Sequence, residues 1–377
     1  MNVYLLKKKH QKLLYYLKIS GNKFYKIKVD KELSPIGWHL LHCIYTECLW
    51  IRSYFNNDDE IKNKIKNVSD ASKVRPSNRG KELPSLTEIY VFAKKTFKEN
   101  LEIISKIEKN SQKKKYSIKY IIKFLENHHS QHLETIKNIL NAINIEYNLD
   151  YIEKSREIVP IDYRFDTIKI NKGIYKIGTD EEYVCDNEKP EDIFETDGYE
   201  ISKNIITIQN WYAFIEDGGY KNKIFWSKSA WNWIKKNNIN APFNWKVSKK
   251  KVSLSFYNGY MFPSANIPVS NISWFELKAF AKWKKLKVPH EHHWEIASKS
   301  IKDKNLVWEW SNNKFYGYKN FKAFPYDEYS LSWLNKNYFT LKGASILTED
   351  CLKRISFRNF YRPHTRYICS GGRLCNY

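Results

Sequence analysis

The stretch SIKYIIKFLENHHSQHLETIKNILNAINIE, residues 117–146, decides how the first half of this chain is read. Its apolar residues recur at helical spacing, so a long amphipathic helix is predicted. His128 and His132 stand four apart within it and project from one face, the spacing that lets two imidazoles share a metal ion. Gln131 precedes the second histidine and Glu134 follows it. A second pair, His39 and His42, lies in SPIGWHLLHCIYTECLWI (34–51), which is also helical in pattern. A third imidazole from that facing helix would complete a facial triad with open positions for substrate and oxygen. All-nitrogen ligation of that kind suits Fe(II), zinc or copper, and the residues alone do not separate them. An isolated HxxxH reads more readily as surface or hydrogen-bonded histidines, and the second histidine pair only brings the two readings level.

Outward from this stretch, helical periodicity recurs near 4–18, 35–53 and 86–108. Ser34-Pro35 reads as N-cap and first turn of one helix, and Pro84 with Ser85 or Thr87 opens another. Four such helices imply an antiparallel bundle over residues 1–150. Residues 57–84 read as a long polar loop, and loops of that length inside compact domains are often functional. From about 165 the pattern changes to short β-like runs, and eleven of the thirteen tryptophans lie at 211 and beyond. Turn signals at Asp217-Gly218-Gly219 and Asn258-Gly259 punctuate this half, and one clear helix is predicted, over 271–286. The fold class is α+β: a helical bundle, then a loop-rich mixed domain over 165–377.

The chain has 377 residues, 42% of them apolar, which is enough for a full core. No apolar run reaches the length of a bilayer span. The N-terminus carries no signal-peptide core, and the six cysteines form no CxxC pair, so a reduced, cytoplasmic protein is expected. The net charge of +23 raises the possibility of nucleic acid. It is spread over both halves, however, and reads as a solvated lysine surface. Only ten residues are arginine, five of them within 354–373: Arg354, Arg358, Arg362, Arg366 and Arg373. Where a chain otherwise chooses lysine, arginine points to a need for its bidentate fork, either on a ligand carboxylate or in a salt bridge. His290, His292 and His293 in VPHEHHWE read as a solvated helix N-terminus.

The segment 34–51 resembles the opening motif of the DinB-like bundle of the EgtB family, the sulfoxide synthases of ergothioneine biosynthesis. HHSQHLE (128–134) resembles that family's second iron motif, with His129 where the family often has glutamate. GIYKIGTD (173–180), DNEKP (186–190), FIEDGGY (214–220), VSNISWFELKAFAKW (269–283), VWEW (307–310), FKAFPYDEYS (321–330), FRNF (357–360) and GGRLC (371–375) resemble, in order, the formylglycine-generating-enzyme (sulfatase-modifying factor) domain. The resemblance implies a DinB-like four-helix bundle (1–150) carrying the iron ligands His42, His128 and His132. It implies a C-type-lectin-like second domain (165–377) that completes the active site. Its implied reaction uses Fe(II), with O2 as co-substrate, to form a C–S bond between cysteine or γ-glutamylcysteine and the imidazole of hercynine. Tyr326 and Tyr329 match the family's active-site tyrosines, with Tyr326 at the catalytic position. Gln131, Asn359 and Phe360 match positions that hold the imidazole substrate, where an aromatic face suits a quaternary ammonium.

Tyr361 stands where well-known members carry an acidic residue for the thiol substrate's amino group, which leaves the sulfur partner open. Arg75, Arg79 and Arg366 are candidates for substrate carboxylates. A structural calcium ion in the second domain is a further expectation from the resemblance. Small-molecule imidazole and thiol partners, no membrane, no nucleic acid and a monomer are expected. Two alternatives stand beside this reading: a relative acting on histidine (ovothiol-like) or a selenium donor, and a non-catalytic polyanion-binding module.

Overall fold

The computed structural model of the chain describes residues 3–107, 114–147, 156–157, 165–248, 251–256, 259–261, 267–327 and 329–377. The chain forms two compact units, Met1–Ile143 and Asn144–Tyr377. Most of the stretch expected to join the domains, between 150 and 165, lies outside the described residues, as does Asn258 of the Asn-Gly turn signal.

The first unit holds α1 (Tyr4–Phe24), α2 (Ile36–Glu47), α3 (Tyr54–Asn56), α4 (Glu60–Ser69), α5 (Leu86–Lys106) and α6 (Ile118–Glu146). Helix α2 packs against α1, α4 and α5. It is buried on nearly every side, as a helix apolar all round must be, and it runs on through a π-helical turn, Cys48–Ser53. Gly21 breaks the regular course of α1 with a φ of +62°, a conformation that costs glycine least. Ser85 caps α5 in a reciprocal capping box with Glu88. Ser34 does not cap α2: Pro35 is the N-cap, and the Ser34 hydroxyl instead accepts from Arg79 at 3.3 Å. The expected loop over 57–84 contains α4 and a 3-10 turn, Pro76–Asn78. Only Ile65 and Ser69 of α4 are buried, so its apolar stripe is too narrow to stand out among lysines and asparagines.

The second unit opens with β1 (Arg156–Glu157), β2 (Thr167–Ile170), β3 (Gly173–Ile177), β4 (Asp192–Thr196) and β5 (Tyr199–Ser202). Then come α7 (Ile208–Glu216), α8 (Lys228–Lys236), β6 (Trp245–Ser248), β7 (Lys251–Phe256), β8 (Gly259–Met261), α9 (Trp274–Trp283) and α10 (Glu291–Ala297). It closes with β9 (Trp308–Lys314), β10 (Phe339–Gly343), β11 (Asn359–Tyr361), β12 (Ser370–Gly371) and β13 (Cys375–Asn376). Its sheets are small: β11-β10-β9-β12, β13-β5-β2, the β3-β4 hairpin, and β1-β7-β6 with β8 on β7. Among the described residues four α-helices stand here where one was expected, because α7, α8 and α10 are too short to give a periodic signal. Aromatic packing supplies much of the core; Trp211 stacks on Phe280 at 4.9 Å. The closing GGRLC threads between β9 and α9. A Cβ on Gly371 would sit 2.5 Å from the Val269 carbonyl oxygen, so only glycine fits.

The C-terminal arginines form bidentate pairs, mostly with the chain's own glutamates. Arg358 grips Glu291 at 2.7 and 2.8 Å and also donates to the carbonyls of Asn187 and Tyr316. Arg354 pairs with Glu188, Arg373 with Glu309 and Arg366 with Glu276. The planar fork is used as the composition implied, but on internal carboxylates. The fork of Arg366, a candidate for a substrate carboxylate, lies on Glu276 at 3.0 and 3.2 Å. The guanidinium of Arg362 lies over Tyr338 at 4.8 Å. The expected solvated helix start at 290–293 is corrected: His290 is the N-cap of α10, but Glu291, His292 and His293 are buried.

Candidate metal centre

Helix α6 carries His128 and His132 one turn apart, and α2 brings His42 to meet them. One nitrogen from each of the three imidazoles lies within 4.8 Å of the others. The Nε2 atoms of His128 and His132 are 3.3 Å apart.

The outer nitrogens are all engaged. His42 Nδ1 faces the Ser69 carbonyl oxygen at 2.8 Å. A carbonyl only accepts, so Nδ1 carries the proton and Nε2 keeps its lone pair. His128 Nδ1 meets His129 Nδ1 at 3.2 Å, and His132 Nδ1 meets His39 Nδ1 at 2.8 Å. Burial pushes the imidazoles toward their neutral forms: His42 to about 4, His39 to about 3, and His128 and His132 well below the usual value. Neutral, converging imidazoles with their outer nitrogens held are a donor set that fits a divalent transition metal such as Fe(II).

Behind His42 lies a stack. Trp38 covers the His42 ring at 4.8 Å and nearly parallel, and the Arg79 guanidinium lies 4.2 Å over Trp38. Arg79 also donates to the carbonyls of Val74 and Ala71 and to Ser34. These bonds lock the segment after α4 against α2, so Arg79 braces the ligand helix. Arg75 is exposed at the start of the 3-10 turn. Gln131 sits half-buried on α6, three residues from His128 and therefore on its flank.

Sequence reasoning missed Glu47. This carboxylate is fully buried at the end of α2, where a lone acid within a nearly unbroken apolar helix was the available signal. It takes His10 Nε2 at 2.9 Å, His129 Nε2 at 3.1 Å and Asn100 Nδ2 at 3.2 Å. Burial alone would raise its pKa, but His10 and His129 outweigh that and hold it at about 2.

In the second unit, Tyr326 and Tyr329 are 5.9 Å apart between ring centres, edge to face. The Tyr329 hydroxyl lies 3.2 Å from Cys185 Sγ, and Ser330 donates to Asp186 Oδ1 while accepting from Asn187 at 2.9 Å. The turn Cys185-Asp186-Asn187-Glu188 is thus the seat of the tyrosine loop, a role the sequence did not reveal. Asn359, Phe360 and Tyr361 form β11; Phe360 stacks on Phe315 at 4.1 Å, and Tyr361 meets Tyr367 edge-on.

Burial raises Asp186 from 3.8 to about 7, against the hydrogen bond from Ser330. The folded state then binds this proton more readily than the unfolded chain. Stability contributed by Asp186 is full below about pH 4 and declines as pH rises toward 7, by up to about 4 kcal/mol in all. Asp186→Asn should flatten that slope in urea unfolding between pH 4.5 and 7.5. A variant with the wild-type slope would contradict the assignment.

The fold and this cluster define a class: a helical unit with a nest of imidazoles, followed by a loop-rich, aromatic unit of small sheets. Residues 162–306 match the Sulfatase-modifying factor enzyme 1-like domain. Hercynine oxygenase of Mycolicibacterium smegmatis is 22% identical, over 91% of this chain and 91% of its own length. Hercynine oxygenase of Mycobacterium tuberculosis is 25% identical over 52% of this chain and 56% of its own, so that match spans about half of the relative. PvdO from Pseudomonas aeruginosa, a solved structure, covers 55% of this chain at 14% identity with a TM-score of 0.37, an overlap too slight to argue from. The chain thus carries a sulfatase-modifying-factor-like domain and is similar to hercynine oxygenases. Among the described residues no helix is long and apolar enough to cross a membrane.

Proposed function

We propose that this chain is an Fe(II)- and O2-dependent sulfoxide synthase that joins a cysteine-type thiol, cysteine or γ-glutamylcysteine, to the imidazole of hercynine. The observation that carries the reading is the convergence of His42, His128 and His132 in a chain alignable with a hercynine oxygenase over nine-tenths of its length. Iron held there would supply oxygen activation for the oxidative coupling. Residues 1–150 carry the proposed ligands, and residues 165–377 carry the tyrosines and candidate substrate residues.

In this reading the Tyr326 hydroxyl supplies a proton as oxygen is reduced, and Tyr329, seated on Cys185, orders the loop that presents it. Asn359 and Phe360 are the acceptor residues of the second unit, with an aromatic face for a quaternary ammonium, and Gln131 is the candidate on α6. Arg75, exposed and outside the Trp38 stack, is the stronger of the two loop arginines for a thiol carboxylate. Tyr361 favours a second reading in the same chemistry, with histidine as acceptor or a different sulfur or selenium donor, because no carboxylate stands at that position to grip an amino group.

The test is incubation of iron-loaded protein with hercynine or histidine and a panel of thiols under oxygen, with products read by mass spectrometry. Coupled sulfoxide supports the proposal and names the pair. Absence of any coupled product with either acceptor sinks it. Tyr326→Phe should keep a full equivalent of iron yet slow coupling about 100-fold or redirect it. An unchanged rate and product distribution would remove Tyr326 from the chemistry.

A further inference from the structure

Among the buried polar groups of the helical unit, Glu47, His129 and His128 form a continuous line from α2 to α6. We infer that Glu47 and His129 are positioning residues that fix the tautomer and orientation of His128 as a metal ligand.

Donors and acceptors fix each tautomer along this line. Glu47 Oε2 lies 3.1 Å from His129 Nε2. A carboxylate in the middle of three donors accepts from all of them, so the His129 proton sits on Nε2. A neutral imidazole carries a single N–H, which leaves His129 Nδ1 as an acceptor. That atom faces His128 Nδ1 at 3.2 Å. His128 must therefore hold its own proton on Nδ1, and its Nε2 presents a bare lone pair toward His132 and His42. Were Glu47 absent, His129 could carry its proton on Nδ1 instead. His128 would then be driven to the opposite tautomer, with a proton where the metal belongs.

The carboxylate is itself braced. His10 stacks on Phe97 at 4.0 Å and reaches Glu47 Oε2 at 2.9 Å. Asn100 reaches Oε1 at 3.2 Å and accepts from Arg52 at 2.7 Å. Outer partners of this kind, a carboxylate acting on a ligand imidazole, typically change metal affinity 10- to 100-fold when removed. The arrangement here places one extra imidazole between carboxylate and ligand.

The inference rests on the metal centre proposed above, and the experiment separates the two. Anaerobic Fe(II) and Co(II) titrations of the full chain against a competing chelator would be run with the Co(II) visible spectrum recorded. His129→Leu removes the acceptor for His128 Nδ1 and should weaken both metals about 10- to 100-fold and change the Co(II) bands. Adding Glu47→Gln and His129→Glu together sets a carboxylate directly against His128 and should restore affinity and spectrum, which a merely structural role would not predict. If His129→Leu does not fold, Glu47→Asp, which draws the carboxylate back from His129, should show the same weakening and spectral change. Wild-type affinity and bands in His129→Leu or Glu47→Asp would overturn the relay while leaving the centre standing. A wild-type chain that takes up no metal would overturn the centre and the relay with it.

Discussion

His132→Ala should lose stoichiometric metal binding while the helical unit stays folded. The substitution removes one of three converging nitrogens and leaves His42 and His128 as a two-point site. The loss should exceed the 10- to 100-fold typical of removing an outer partner. The cost to the fold is modest, about 1 kcal/mol, because the side chain is only partly buried at the centre and its neighbours on α6, Leu133 and Ile136, remain in the core. Metal content after anaerobic loading and desalting, set beside the far-UV spectrum, reads both effects. A full equivalent of iron in the variant would show that the ion sits elsewhere.

The second large effect belongs to the other unit. Arg358→Ala should destabilise it by about 3–5 kcal/mol, because Glu291 would be left as an uncompensated buried charge. Both side chains are fully shielded from water, and three aromatic rings, Phe315, Tyr316 and Tyr318, surround the guanidinium. Burial alone would raise the Glu291 pKa, yet Arg358 holds it at about 2. The stabilisation from this depressed carboxylate is present above about pH 4.5 and fades as pH falls toward 2. Urea unfolding at pH 6.5 measures the cost, and the deficit should narrow in acid. Replacing both partners by leucine should recover part of it, since no lone charge then remains. Stability equal to wild type in Arg358→Ala would mean the pair contributes nothing.

Much of the site could be read from the residues because its chemistry is local. His128 and His132 share a face by helical geometry alone, and the helices that bear the ligands were marked by long periodic patterns. Several short elements were not legible: α7, α8 and α10 run for nine residues or fewer, and α4 buries only Ile65 and Ser69. The arginines teach a related lesson. Their number and clustering announced bidentate pairing, but whether the carboxylate is a ligand or Glu188, Glu276, Glu291 or Glu309 depends on residues 64 to 166 positions away in the chain.

By itself, then, the sequence determined the change from helical to aromatic, loop-rich chain and the pairing of His128 with His132, because periodicity and i,i+4 spacing are properties of neighbouring residues. The tertiary structure alone decided that His42 converges on that pair, that Ser69 and His39 hold outer nitrogens, and that Glu47 reaches His129. Those contacts join residues 27 to 93 positions apart. Burial, not spacing, makes these imidazoles neutral, and His10 and His129 keep the Glu47 carboxylate ionised against burial.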